Sequence, residues 1–179
     1  RHPFLRAMLR DMKRAILVLV LAAVLAPVAS AEPLPGFRES VRLSPRASTI
    51  VGKPVRVYCA GSLELWTDTV IGKGWVGGVE GFAPYDRSGA YLGEAYLAPW
   101  VCQPLERWLR GKSVPMSNLA IGIRALIHES IHLRGVHDEE AASCGSVREA
   151  AKWARALFGV KRTVALRQVV AVARATTPC

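Results

Sequence analysis

Hydrophobic and polar positions alternate over residues 54–60, where Val55, Val57 and Cys59 interleave with Arg56 and Tyr58, and this period of two predicts a half-buried strand. Residues 90–98 carry a second strand signal. Between them, residues 72–89 hold six glycines interleaved with Trp75, Val76, Val79 and Phe82, which predicts short strands and tight turns. Farther on the period changes. Leu119, Ile123, Leu126 and Ile127 form a stripe at helical spacing, with Ser117 placed to cap the helix and Gly135 to stop it. Asp138 is suited to cap a following helix that reaches Phe158 and closes at Gly159, and a last amphipathic helix is predicted over residues 163–175. A short helix is expected over 104–110, with Pro104 in its first turn. The expected fold is α+β: a small antiparallel β region, then an HExxH helix and C-terminal helices.

The start of the chain reads differently. Arg10, Lys13 and Arg14 give residues 10–14 a net positive charge, residues 15–25 are unbroken apolar, and Ala29-Ser30-Ala31 is a small-x-small site. These are the three parts of a secretory signal peptide, expected over residues 1–31 with cleavage after Ala31; residues before Met8 or Met12 can be upstream sequence. The apolar run is shorter than the roughly 20 residues a spanning helix needs, so no stable membrane anchor is expected afterwards. Residues 32–50, with Pro33, Pro35 and Pro45, read as an extended arm, and residues 51–179 as one domain.

The net charge of +10 is concentrated partly in the leader: the rest of the chain holds 19 basic against 13 acidic residues. That balance calls for no nucleic-acid partner. All four cysteines lie beyond the leader, and in an oxidising compartment two disulfides are expected. Of the three pairings, Cys59–Cys102 with Cys144–Cys179, joining chain neighbours, is preferred. Their spacings match no CxxC zinc ribbon.

Beyond the leader there are three histidines, His128, His132 and His137, all inside ten residues. His128-Glu129-Ser130-Ile131-His132 is HExxH. On a helix, residues four apart share a face, so His128 and His132 can offer nitrogens to one metal. Zinc suits imidazole ligands and an open fourth position, and Glu129 beside it can serve as general base toward a water.

The third ligand is open among Asp138, Glu139 and Glu140. Spacing HExxHxxGxxD would make it Asp138, similar to the snapalysin-type metzincins, but that clan needs a downstream Met-turn, and Met8, Met12 and Met116 are all upstream. The helix cap accounts for Asp138. Glu139-Glu140-Ala141-Ala142-Ser143 resembles the gluzincin arrangement, with Ser143 where an Asp is usual; register favours Glu139 over Glu140. His137 is expected to be exposed in the turn. Tyr85, Tyr91 and Tyr96 are candidate oxyanion donors.

Together, Leu97-Ala98-Pro99, Cys102, Leu105-Glu106, the HExxHxxG helix and Glu139…Ala142…Cys144 resemble a family of small secreted bacterial HExxH (zincin, gluzincin-like) zinc metallopeptidases. The resemblance implies zinc on His128, His132 and an early-helix Glu, with Glu129 as base. It implies a secreted, monomeric enzyme acting on a peptide or protein substrate. Residues 90–98 would correspond to the edge strand on which such enzymes lay a peptide, or else to a core strand. Two other readings use the same residues. In one, the domain is a non-catalytic, disulfide-stabilised extracellular module whose zinc is absent or closed off by His137. In the other, Lys161, Arg162, Arg167 and Arg174 meet an anionic polymer or membrane.

Overall fold

The computed structural model describes residues 32–74, 79–161, 163–175 and 179; the leader, residues 1–31, lies outside them. Residues from Pro33 to Cys179 form one unit. Its elements are β1 (Phe37–Glu39), α1 (Ser44–Val51), β2 (Arg56–Ala60), α2 (Leu63–Gly72), β3 (Gly81–Phe82), β4 (Glu94–Leu97), α3 (Pro99–Leu109), α4 (Met116–Leu133), α5 (Glu139–Phe158) and α6 (Thr163–Ala175). This is an α+β fold.

The sheet runs β1-β2-β4-β3. β1 and β3 pair antiparallel with their neighbours, but β2 and β4 are parallel, with Val57 opposite Ala95 and Tyr58 opposite Tyr96. The sheet is therefore mixed rather than antiparallel throughout. A parallel pair needs a crossover, and α2, which periodicity did not reveal, lies within it. Ser62 caps α2 by accepting a hydrogen bond from Leu65 N at 3.1 Å.

Residues 32–50 are not an extended arm. Phe37 is buried and meets Tyr96 edge-on at 5.2 Å, and Leu43, Ala47 and Ile50 bury one face of α1 at helical spacing. Pro45 sits in the first turn of α1, where its missing N–H costs nothing. Ser44 Oγ accepts from Val57 N at 3.0 Å, tying α1 to β2.

Helix starts also differ from expectation. α3 begins at Pro99, so Pro104 lies inside it. One helical hydrogen bond is forgone there, and burial of Val101, Cys102 and Leu105 holds the helix in place. α4 begins at Met116 with Pro115 before it, and Ser117 makes no cap. α5 and α6 span the expected residues. Asp138 caps α5, accepting from Ala141 N at 2.6 Å, and Gly159 closes it at φ 63°.

α4 is the axis of the domain: it packs against α1, α3, α5 and α6 on its sides and against β3 and β4 of the sheet. Two glycines permit the close packing. A Cβ on Gly122 would stand 2.8 Å from Leu105 of α3, and one on Gly145 would stand 2.7 Å from Ile131. The second contact lets α5 lie directly on the C-terminal half of α4. Disulfides join Cys59 of β2 to Cys102 of α3, and Cys144 of α5 to Cys179. Among the described residues no helix is long and apolar enough to cross a membrane.

Candidate metal centre

Four residues along α4 separate His128 from His132, and both rings project toward the start of α5. Their Nε2 atoms are 3.0 Å apart. Glu139, the first residue of α5, brings Oε2 to 3.2 Å from His128 Nε2 and Oε1 to 3.3 Å from His132 Nε2. The three side chains form a triangle in which Glu139 turns a different oxygen to each ring, and this group could hold a metal ion. Gly135, at φ 99°, provides the reversal that brings α5 back. The two histidine side chains are 14% and 6% exposed but that of Glu139 is 79% exposed, so the triangle faces outward on one side.

Each histidine is oriented from behind. His132 Nδ1 lies 2.6 Å from the Val136 carbonyl oxygen, which can only accept. Nδ1 therefore carries the hydrogen and Nε2 presents its lone pair. Tyr91 supports the same corner, its hydroxyl 3.2 Å from His132 Nδ1 and donating to Val136 O at 3.4 Å. His128 Nδ1 faces Ser143 Oγ at 3.3 Å. Ser143 thus reaches His128 with a neutral hydroxyl. The His128 pKa is pushed down to about 4, by burial first and then by the neighbouring His132, which keeps the ring neutral.

Glu129 is buried against this group, and its Oε2 has no hydrogen-bond partner. Such an oxygen is costly unless a water or ion meets it. Burial raises the Glu129 pKa well above the ordinary carboxylate value; Glu139 and Glu80 push it the same way and Arg124 opposes them. Arg124, one turn before His128, forms an ion pair with Glu80. Glu80 is itself raised by burial, against the pull of Arg124.

The cleft in front of the triangle has a volume of about 590 Å³. One wall is the segment around β3, the edge strand of the sheet. Of the two expectations for residues 90–98, the core strand holds: β4 lies between β2 and β3, the HExxH helix α4 packs on it, and it is buried at every residue. Asp138 stays with its cap, and Glu140 is exposed beside Glu139. His137 is outside the ligand triangle. It is exposed and stacks on Tyr91 at 4.7 Å, apart from the three side chains that could hold a metal ion. Of the three tyrosines, Tyr96 is buried and donates to Glu94 at 3.0 Å, Tyr91 braces His132, and Tyr85 lines the cleft.

Several supporting residues were not legible beforehand. Arg124 stands four before His128 and helical periodicity could have placed it on the same face, and the resemblance already singles out position 143, whereas Glu80 and the Val136 carbonyl carry no sequence signal of their roles. No protein-family model, curated protein or solved structure matches this chain.

Proposed function

We propose that the protein is a secreted zinc-dependent metallopeptidase, with His128, His132 and Glu139 as ligands and Glu129 as general base. The observation that carries this reading is the pairing of an open ligand triangle with an orphaned carboxylate oxygen beside it. An ion held about 2.0–2.1 Å from nitrogen and oxygen ligands at tetrahedral angles separates those atoms by about 3.3 Å. The two Nε2 atoms are 3.0 Å apart and each has a Glu139 oxygen at 3.2 or 3.3 Å, spacings close to that value. The donor set, two imidazoles and a carboxylate, is one that zinc takes in hydrolytic sites.

Bound zinc would polarise a substrate carbonyl and acidify a water in the open position. The charge of bound zinc would favour the ionised form of Glu129 against the burial that raises its pKa, so that its otherwise unpartnered Oε2 could accept that water's proton and later deliver it to the leaving amine nitrogen. The low dielectric around Glu129 strengthens its interaction with any charge that develops there. Val136 and Tyr91 on one side and Ser143 on the other hold the imidazoles in register. The free side of β3 can take an extended peptide as an added strand, which favours a peptide over other acyl substrates. Two disulfides accord with an extracellular setting.

Incubation of the zinc-loaded protein with an unfolded protein substrate tests the reading. Cleavage that stops on chelation, returns with zinc and is missing from Glu129→Gln is expected; no cleavage of any unfolded substrate by the loaded protein contradicts it.

A further inference from the structure

The geometry points to an aromatic subsite beside the metal centre, formed by Tyr85, Tyr91 and His137, that selects substrates carrying a planar aromatic side chain next to the bond cleaved. This rests on the metal-centre reading and adds a substrate class to it.

The three rings come from two segments and pack against one another. Tyr85 and Tyr91 are paired directly across an isolated antiparallel bridge, so both side chains leave the same face of the 84–92 hairpin. The hairpin is rigid at its tip: Asp86 accepts from Ser88 N at 2.8 Å and Ala90 N at 3.0 Å, and Gly89 takes the turn at φ 85°. Its base is closed by Leu92 N donating to Pro84 O at 2.9 Å. Tyr91 is pinned to His132 and Val136. His137, two residues past the Gly135 reversal, stacks on Tyr91 with an interplanar angle of 19°, while Tyr85 stands edge-on to both at 5.9 and 6.1 Å.

Two near-perpendicular aromatic walls thus meet at the mouth of the cleft, adjoining His132 and Glu139. Tyr85 is 64% exposed, an apolar surface left uncovered at the edge of a pocket. A substrate ring can stack on one wall while meeting the other edge-on, the arrangement aromatic groups prefer. Among the described residues that line the cleft, the cation is Arg124, and it is matched by Glu80. Because the walls are already ordered, little entropy is lost on binding.

Calorimetric titration of the zinc-loaded full chain with two zinc-directed probes, L-phenylalanine hydroxamate and L-alanine hydroxamate, tests the subsite. The readout is the ratio of the two dissociation constants within each protein, so a general weakening cancels. Phenylalanine hydroxamate is expected to bind about tenfold tighter than alanine hydroxamate in the wild type. In Tyr85→Ala and in His137→Ala, both changes at exposed positions, that ratio is expected to fall toward unity. A wild-type ratio near unity overturns the subsite alone, as does a tenfold ratio that survives both substitutions. Failure of both hydroxamates to bind the wild type overturns the metal centre and the subsite together.

Discussion

Gly81 on β3 lies against Glu129 on α4 so closely that a Cβ at position 81 would stand 2.9 Å from both Glu129 Cγ and Oε1, and 2.8 Å from Leu97 Cδ2. The glycine is what lets the edge strand close over Glu129, the proposed general base. Gly81→Ala is expected to displace Glu129 while leaving the ligand triangle in place. Peptide hydrolysis should fall about 100-fold with zinc stoichiometry unchanged, and stability by about 1–3 kcal/mol from overpacking. Steady-state kinetics beside metal analysis and denaturant unfolding check all three.

Neighbouring acids at the start of α5 separate by role. Glu139→Gln removes a ligand carboxylate and should weaken zinc binding by at least about tenfold. Asp138→Ala removes the cap bond to Ala141 N, so it should cost about 0.5–2 kcal/mol of stability while zinc still binds. Competition titration with a zinc chelator, paired with thermal melts, distinguishes the two.

The supports behind the histidines are unequal. His132 Nδ1 has a main-chain carbonyl at 2.6 Å in addition to Tyr91, whereas Ser143 is the hydrogen-bonding side chain at His128 Nδ1. Ser143→Ala is therefore expected to weaken zinc affinity more than Tyr91→Phe, by about tenfold against severalfold or less. Equal losses would show that the two rings are held in some other way.

How much of this the chain discloses depends on the length scale of each signal. HExxH and the return to Glu139 are local: a helical period, a glycine turn and a capping aspartate place them. The stripe from Leu119 to Ile127 likewise marks α4, and the spans of α5 and α6 follow from their caps and apolar faces. Three prolines mask β1, a strand of three residues, and α1, a helix of eight. The parallel β2–β4 pairing and the placement of β3, rather than residues 90–98, at the sheet edge are long-range choices made by packing. So are the contacts of Glu80 with Arg124 and Gly81 with Glu129, which join segments more than forty residues apart.

At the hairpin tip, Asp86 is held below the ordinary carboxylate pKa by the Ser88 hydroxyl first and then by the Ala90 and Ser88 amides. The folded protein binds its proton less readily than the unfolded chain does. The stabilisation it gives is present above the unfolded value of about 3.8 and is lost as pH falls through the lower folded value. A carboxyl carbon NMR titration should show Asp86 as a low-pKa carboxylate, and Asp86→Ala should speed amide exchange at Ser88 and Ala90 at neutral pH. Unchanged exchange would mean that the hairpin does not depend on this side chain.

The disulfides close loops of sequence separation 43 and 35. On the chain-entropy account each contributes about 4 kcal/mol, with about 2–5 kcal/mol lost on removal of such a bond. Replacing either pair by serine should lower the denaturant midpoint accordingly, and losing Cys144–Cys179 should leave the α4–α5 zinc ligands intact because Ile131 and Gly145 still pack.

The most direct test is the zinc content of the purified protein, measured by mass spectrometry beside His128→Ala and Glu129→Gln. One zinc per chain in the wild type, lost in His128→Ala and retained in Glu129→Gln, is the expected result. No zinc above background in the wild type, or full zinc retained without His128, would contradict the metal centre on which the proposed hydrolysis depends.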